Sequence, residues 1–219
     1  MESMHTVRVT GKGVLHLKPD TTRISLTLTG VDPAYADALA HCEADTQAVR
    51  DALAALGFSK DDLKTLQFSV DAEYEGYDDH GVYKNRFVGF RYRHACKVEF
   101  ASDNALLGRV LYALAHGAAQ PELSIAYTVR DAEAAKNRLI DAAVSDARAK
   151  AQVLAEAAHV ALGEILSIDY ARSEADLAVR PMQRNLLMKA EAADASYRFD
   201  IEPDDIEATD TVTIVWRIG

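Results

Sequence analysis

The chain has 219 residues, 49% hydrophobic and 26% charged, enough to bury about 70% of its unfolded surface in a core without disulfide or metal staples; this excludes wholesale disorder and a fibrous repeat. A net charge of -10, with no Lys/Arg run interleaved with aromatics, argues against a nucleic-acid partner. No stretch approaches the roughly 18 apolar residues that cross a bilayer, and the opening "MESMHTVRVTGKG" lacks the apolar centre of a secretory signal, so the expectation is no transmembrane segment and a soluble, cytoplasmic protein as written, or a periplasmic one if a leader has been removed.

"TVRVTGKGVLHLKPD" and "TTRISLTLTGVD" alternate apolar and polar positions and predict two strands joined by a tight turn at Pro19 and Asp20. Asp32 as a cap, Pro33 at the first helical position and Gly57 past the end bracket a helix over 34–56. Tyr35, Leu39, Cys42, Thr46, Val49, Leu53 and Leu56 fall on one stripe of it. "DLKTLQFSVDAEYEGY" and "NRFVGFRYRHACKVEF" read as a long hairpin around the polar tip "DDHGVYK". A shorter helix over 104–116 leads to a strand near 122–130.

The segment 131–161 reads as a helix about 45 Å long, with Ile140, Ala143, Ala147, Ala151, Leu154 and Ala158 on a smooth face and charged residues opposite. Asp146 and Lys150 are ordered as a helix-supporting pair, and Gly163 is expected to close the helix before the strand "EILSIDYA". Over 173–196 the periodicity fades into a flexible insertion, in which Met182, Leu186, Leu187 and Met188 stand as ordinary linker hydrophobes against a short docking arm. Val212, Ile214, Trp216 and Ile218 then alternate as a closing strand. The order of elements suggests two βαββ halves, about 20–100 and 120–219, within one domain spanning 1–219.

No hydrolase elbow, zincin, P-loop or EF-hand spacing occurs, and "GKG" at Gly11–Gly13 lies between two strand-like runs, where a bulge or close backbone approach explains it better than phosphate binding. The histidines at 5, 16, 41, 80, 94, 116 and 159 show no metal-ligand pairing, with His116 set to complement a helix C-terminus. Cys42 and Cys96 read as small buried hydrophobes with no zinc or redox spacing. Glu75, Asp78, Asp79 and His80 form the best metal candidate, against a simpler reading as a polar hairpin tip. Tyr74, Tyr77, Tyr83 and Tyr92 with Phe87 and Phe90 crowd the hairpin: alternate rings are expected to bury, while the hairpin as a whole reads as a contact between subunits.

Three segments carry a family resemblance. "VTGKGVLHLKPDTTRISLTLTGVD" with Gly11, Gly13, Pro19 and Asp20, "ALGFSKDDLKTLQFSVDAEYE" with Gly57, Asp62, Leu63, Thr65 and Tyr74, and "LIDAAVSDARAKAQVLAEAAHVALGEILSI" with Ala143, Asp146, Ala147, Lys150, Ala151, Leu154, Ala155 and Gly163 resemble the SIMPL-domain family, bacterial proteins that include periplasmic immunogenic and oxidative-stress-defence proteins. The resemblance implies an α+β fold of antiparallel sheets with two long helices packed on a face, assembly into large rings, and a setting in envelope or stress physiology. It supplies no catalytic motif, so no catalytic, cofactor or metal residue is assigned. Against the family, the sequence as written is expected to carry no leader of the exported members, and it places His159 where a glycine is common.

Two functional classes follow: a non-enzymatic, self-associating protein with itself as partner, or a small-ligand or metal-binding module or unrecognised enzyme with its site near the 73–81 tip or in a cleft under 173–196.

Overall fold

The computed structural model describes residues 5–170, 178–179 and 202–219. In chain order the elements are β1 (Thr6–Leu17), β2 (Thr21–Asp32), α1 (Tyr35–Ala54), β3 (Lys64–Asp79), β4 (Val82–Ala101), α2 (Asn104–Ala115), β5 (Glu122–Thr128), α3 (Ala132–Ala157), β6 (Leu162–Asp169), β7 (Ala178–Val179) and β8 (Ile206–Ile218), with a short 3-10 turn at Lys60–Asp62. This is an α+β fold with antiparallel pairing. The expected insertion over 173–196, with Met182, Leu186, Leu187 and Met188, lies outside the described residues apart from β7.

The chain forms two compact units, one built around Thr21–Tyr127 and the other from residues up to Asp20, Thr128–Val179 and Pro203–Gly219. In the central unit the strand order is β3-β4-β2-β5. Strand, helix, two strands, helix, strand, with β4 lying between β2 and β3, is the split βαβ connectivity of ferredoxin-like domains. The strand at 122–128, which the duplication places in a second half, therefore neighbours β2. Ile24, Leu26, Leu28, Cys96 and Val98 from the sheet meet Ala38, Cys42, Val49 and Leu53 of α1 and Leu107, Val110, Leu111 and Leu114 of α2 in one core.

The unit made of the two chain ends has the order β1-β8-β6, with β1 and β8 paired without a break from Thr6↔Arg217 to Leu17↔Ile206. The strands either side of Pro19 thus do not pair with each other: β1 takes β8, and β2 takes β4. The Asp20 N–H donates to Thr128 O at 3.1 Å and its carboxylate accepts from the Arg130 N–H at 2.7 Å.

The sheet of this unit is covered by α3, whose buried residues are Ala135, Leu139, Ala143, Ala147, Ala151 and Ala155. The seam is closed by glycine. A Cβ at Gly11 would lie 2.1 Å from Ala143 O and 2.4 Å from Ala147 N, and one at Gly13 would lie 2.2 Å from Leu139 O. The "GKG" stretch is the close backbone approach expected of it, and the smooth helix face is its counterpart. Between the two glycines the Lys12 N–H donates to Asp146 Oδ2 at 2.7 Å, which also accepts from Lys150 Nζ at 2.7 Å. Both bonds hold the Asp146 carboxyl below its ordinary range.

Several local expectations are corrected. Ala34 caps α1 without a side-chain bond, because Asp32 is turned to His41 Nδ1 at 3.1 Å. Ala38 is buried where Leu39 was expected, leaving Leu39 and Tyr35 exposed. In α3, Leu154 is exposed and Ala155 buried. Gly163 does not end that helix but lies within β6. His159 ends it with φ 56°, its N–H donating to Glu156 O at 3.1 Å and that of Val160 to Ala155 O at 3.1 Å, a Schellman closure. Gly57, φ 92°, plays the same part after α1 as expected, with N–H bonds from Gly57 to Ala54 O and from Phe58 to Leu53 O.

Candidate functional site

The last residue of β2, Asp32, pairs with Phe90, so β4 before that point has β3 as its partner alone among the described strands. Residues 73–89 therefore form a two-stranded arm about 23 Å long, extending past the edge of the sheet. A bulge between Glu73 and Tyr74 sets its faces.

One face is charged: Arg91 forks onto Glu73 at 2.7 and 2.9 Å, Arg86 meets Glu75 at 2.8 Å and Lys84 meets Asp79 at 2.5 Å. The Arg91 guanidinium holds the Glu73 carboxyl below its usual range. The other face is aromatic. Tyr74 meets Phe87 at 5.7 Å between ring centroids, Phe87 meets Phe90 at 5.3 Å and Phe90 meets Tyr35 at 5.5 Å, all edge to face. Tyr83 extends this row: its ring lies across Gly76, where a Cβ would meet the Tyr83 hydroxyl at 1.8 Å. A glycine is thus required for the ring to lie flat on the strand.

Tyr83 is 76% exposed, Tyr74 61% and Phe87 49%. With about 200 Å² per ring, these three leave on the order of 350 Å² of aromatic surface open, the size of patch that marks contact sites. Of the clustered aromatics, Tyr92 is the one the sheet buries completely. Its hydroxyl donates to Asp45, and burial beside that carboxylate pushes its pKa upward.

A polar network that sequence reading did not assemble lies beneath α1. Thr46 Oγ1 donates to Cys42 O at 2.7 Å, which leaves it a lone pair toward His94 Nδ1 at 2.9 Å. His94 is therefore the Nδ1–H tautomer, and its bare Nε2 accepts from Thr65 Oγ1 at 2.9 Å with Cys96 Sγ at 3.2 Å. Burial, aided by the Arg50 charge, lowers the His94 pKa, while burial raises those of Cys96 and Cys42. Both cysteines are buried and free, as small hydrophobes would be, and their thiols stay protonated at neutral pH, the state of structural rather than reactive cysteines. The available signal was a threonine inside an otherwise apolar stripe and a His-x-Cys pair on one face of a strand.

At the hairpin tip the proposed ligands are spread among local roles. Glu75 and Asp79 hold the arm's basic residues, Asp78 Oδ1 accepts from the Gly81 N–H at 2.9 Å, and the His80 side chain is fully exposed. Among the described residues no group of three or more His, Cys, Asp or Glu is placed to hold a metal. His116 caps α2, its Nδ1 donating to Tyr112 O at 2.9 Å.

In the unit of the chain ends a groove of about 640 Å³ is lined by Glu133, Lys136, Asn137, Ile140, Tyr170 and Asp210. Its buried carboxylate, Asp210, accepts from the Tyr170 hydroxyl at 2.9 Å and the Thr211 N–H at 2.8 Å. No helix among the described residues is long and apolar enough to cross a membrane.

No curated protein matches the chain. The glycine seam, the arm and all of the closing strand but Arg217 and Ile218 fall within the 7–216 stretch that matches the family model SIMPL, "Protein of unknown function (DUF541)". The chain belongs to the SIMPL family.

Proposed function

We propose that the protein is a non-enzymatic, self-associating module whose β3–β4 arm is the contact element. The observation that carries this is the row Tyr83, Tyr74, Phe87 and Phe90, whose first three rings are exposed and whose last is partly buried against the core, on a ribbon paired on neither outer edge among the described strands. An isolated two-stranded ribbon gains little stability of its own, and covering its aromatic face in a second copy supplies what it lacks. The protonated state of both buried thiols and the local engagement of the tip acids favour a contact surface over a reaction centre. Family resemblance suggests envelope or oxidative-stress physiology as the setting.

Light scattering on the purified chain tests the proposal. A mass several times 23.9 kDa is expected, and a strict monomer at high concentration overturns it. In the triple variant Tyr74→Ser, Tyr83→Ser, Phe87→Ser the mass is expected to fall to the monomer while the thermal transition of the core persists. Unchanged association in that variant removes the arm from the interface.

A further inference from the structure

The row of β8 that faces α3 runs Ile206, Ala208, Asp210, Val212, Ile214 and Trp216, all buried. Five of these are apolar and one is a carboxylate. It divides the core beneath the helix: Ile206 and Ala208 pack with Ala135 and Leu139, whereas Val212, Ile214 and Trp216 pack with Ala143, Ala147 and Ala151. Its ladder partner is Gly13, so the residue opposite it on β1 has no side chain. Burying a charge costs stability that an apolar residue in the same place would not, and a position where a sequence breaks its own period is where function is expected.

Asp210 lines the groove of about 640 Å³, a volume within the range of small-ligand pockets, about 300–1,000 Å³. Every lining residue belongs to the unit of the chain ends. From α3 come Glu133, Lys136, Asn137 and Ile140, spaced three and four apart and so on one face. Lys136 is half-buried, and among the described residues its side chain has no hydrogen bond or ion pair, although Glu133 and Asp210 line the same groove. Charges of both signs thus face one space without neutralising each other. Ile140 and the ring of Tyr170, whose hydroxyl donates to Asp210 at 2.9 Å, supply apolar surface beside them.

We propose that this groove binds a short peptide with free ends, its carboxylate against Lys136 and Asn137, its ammonium against Asp210 and Glu133, and its side chains against Ile140 and the Tyr170 ring. Lysine offers a carboxylate a point charge with three donors, and the asparagine amide adds two more. Each oxygen of a carboxylate can accept two bonds, so Asp210 can serve a ligand alongside Tyr170 and the Thr211 amide. A neutral sugar would leave the Lys136 charge unanswered, and a simple anion would face two carboxylates; a zwitterion answers both signs. The groove shares no residue with the arm, so this reading stands or falls apart from self-association.

Calorimetric titration of the purified chain with L-alanyl-L-leucine is the test, run beside the same dipeptide acetylated at its amine, the same dipeptide amidated at its carboxyl, and sucrose. The free dipeptide is expected to bind with a dissociation constant of about 1 mM or tighter, and each blocked form at least tenfold more weakly. Absence of binding by the free dipeptide, equal binding of a blocked form, or equal binding of sucrose overturns the proposal. These comparisons use the wild-type chain and do not depend on any variant folding.

Two variants then assign the ends. Lys136→Met keeps the aliphatic stem; it is expected to lose at least tenfold in affinity for the free dipeptide while binding the amidated form as wild type does. Asp210→Asn keeps the shape of the side chain and is expected to lose the preference for the free amine over the acetylated one. Unchanged affinity and preference in both variants overturns the assignment.

Discussion

Replacing Gly11 by alanine adds one methyl group where the helix backbone already stands. The added Cβ would lie 2.1 Å from Ala143 O, 2.4 Å from Ala147 N and 2.7 Å from Ala147 Cβ, whereas ordinary contact begins near 3.4 Å. The nearest two atoms are backbone, so no rotamer change relieves the clash, and α3 must withdraw by more than 1 Å. That withdrawal opens the contacts of Ala143, Ala147 and Ala151 with Val9, Val212, Ile214 and Trp216. Overpacking of a well-fitted core costs about 1–3 kcal/mol, and loss of the neighbouring seam puts Gly11→Ala at the upper end, about 3 kcal/mol. For a chain of this size the melting temperature should drop by about 6–12 °C.

Two controls separate sterics from backbone conformation. Gly57→Ala meets no atom within 4 Å but holds φ 92°, so it should cost only about 1 kcal/mol. Adding Ala147→Gly to Gly11→Ala removes a side chain but neither backbone contact, so it should not restore stability. Chemical denaturation with fluorescence of Trp216, buried in this cluster, reads all three. If Gly11→Ala lies within about 0.5 kcal/mol of wild type, or if Ala147→Gly rescues it, the close-seam argument is wrong.

His159→Gly removes a non-glycine residue from the left-handed region at the end of α3 and should stabilise the protein by up to about 1 kcal/mol, seen as a rise in melting temperature of a few degrees. His94, neutral in the fold with its pKa depressed from 6.5, lets the unfolded chain bind the proton first. Its contribution is therefore intact above about pH 6.5 and declines as pH falls below it; urea titrations at pH 7.5 and 5.5 should show that decline in wild type and a smaller one in His94→Asn. Asp146→Ala removes the acceptor of the Lys12 amide, and hydrogen exchange should show faster exchange at that amide, with less change at the central β8 amides.

Much of this architecture was legible because it obeys a local period. The alternation Val212, Ile214, Trp216 is buried as read, and the alanines at 143, 147 and 151 line one buried face. What the period could not supply was partner choice. Nothing local distinguishes β1 as a partner of β2 from β1 as a partner of β8, since both alternate; the decision rests on the glycine pair meeting α3, a contact across some 130 positions of sequence. Caps failed where a side chain had another use: Asp32 binds His41, and His159 accepts a conformation that sequence reading reserves for glycine.

The unbroken pairing of β1 with β8 orders events during synthesis. β1 leaves the ribosome long before its ladder partner, Ile206–Ile218, has been made. The stretch Thr21–Tyr127 is continuous and can settle around its own core while translation proceeds. β1 and α3 must wait, with the apolar side of a future sheet uncovered. A stop codon or protease cut just before Ile206 would therefore remove the central strand of the order β1-β8-β6, leaving the first strand and the alanine helix without the layer that joins them while the central unit still folds.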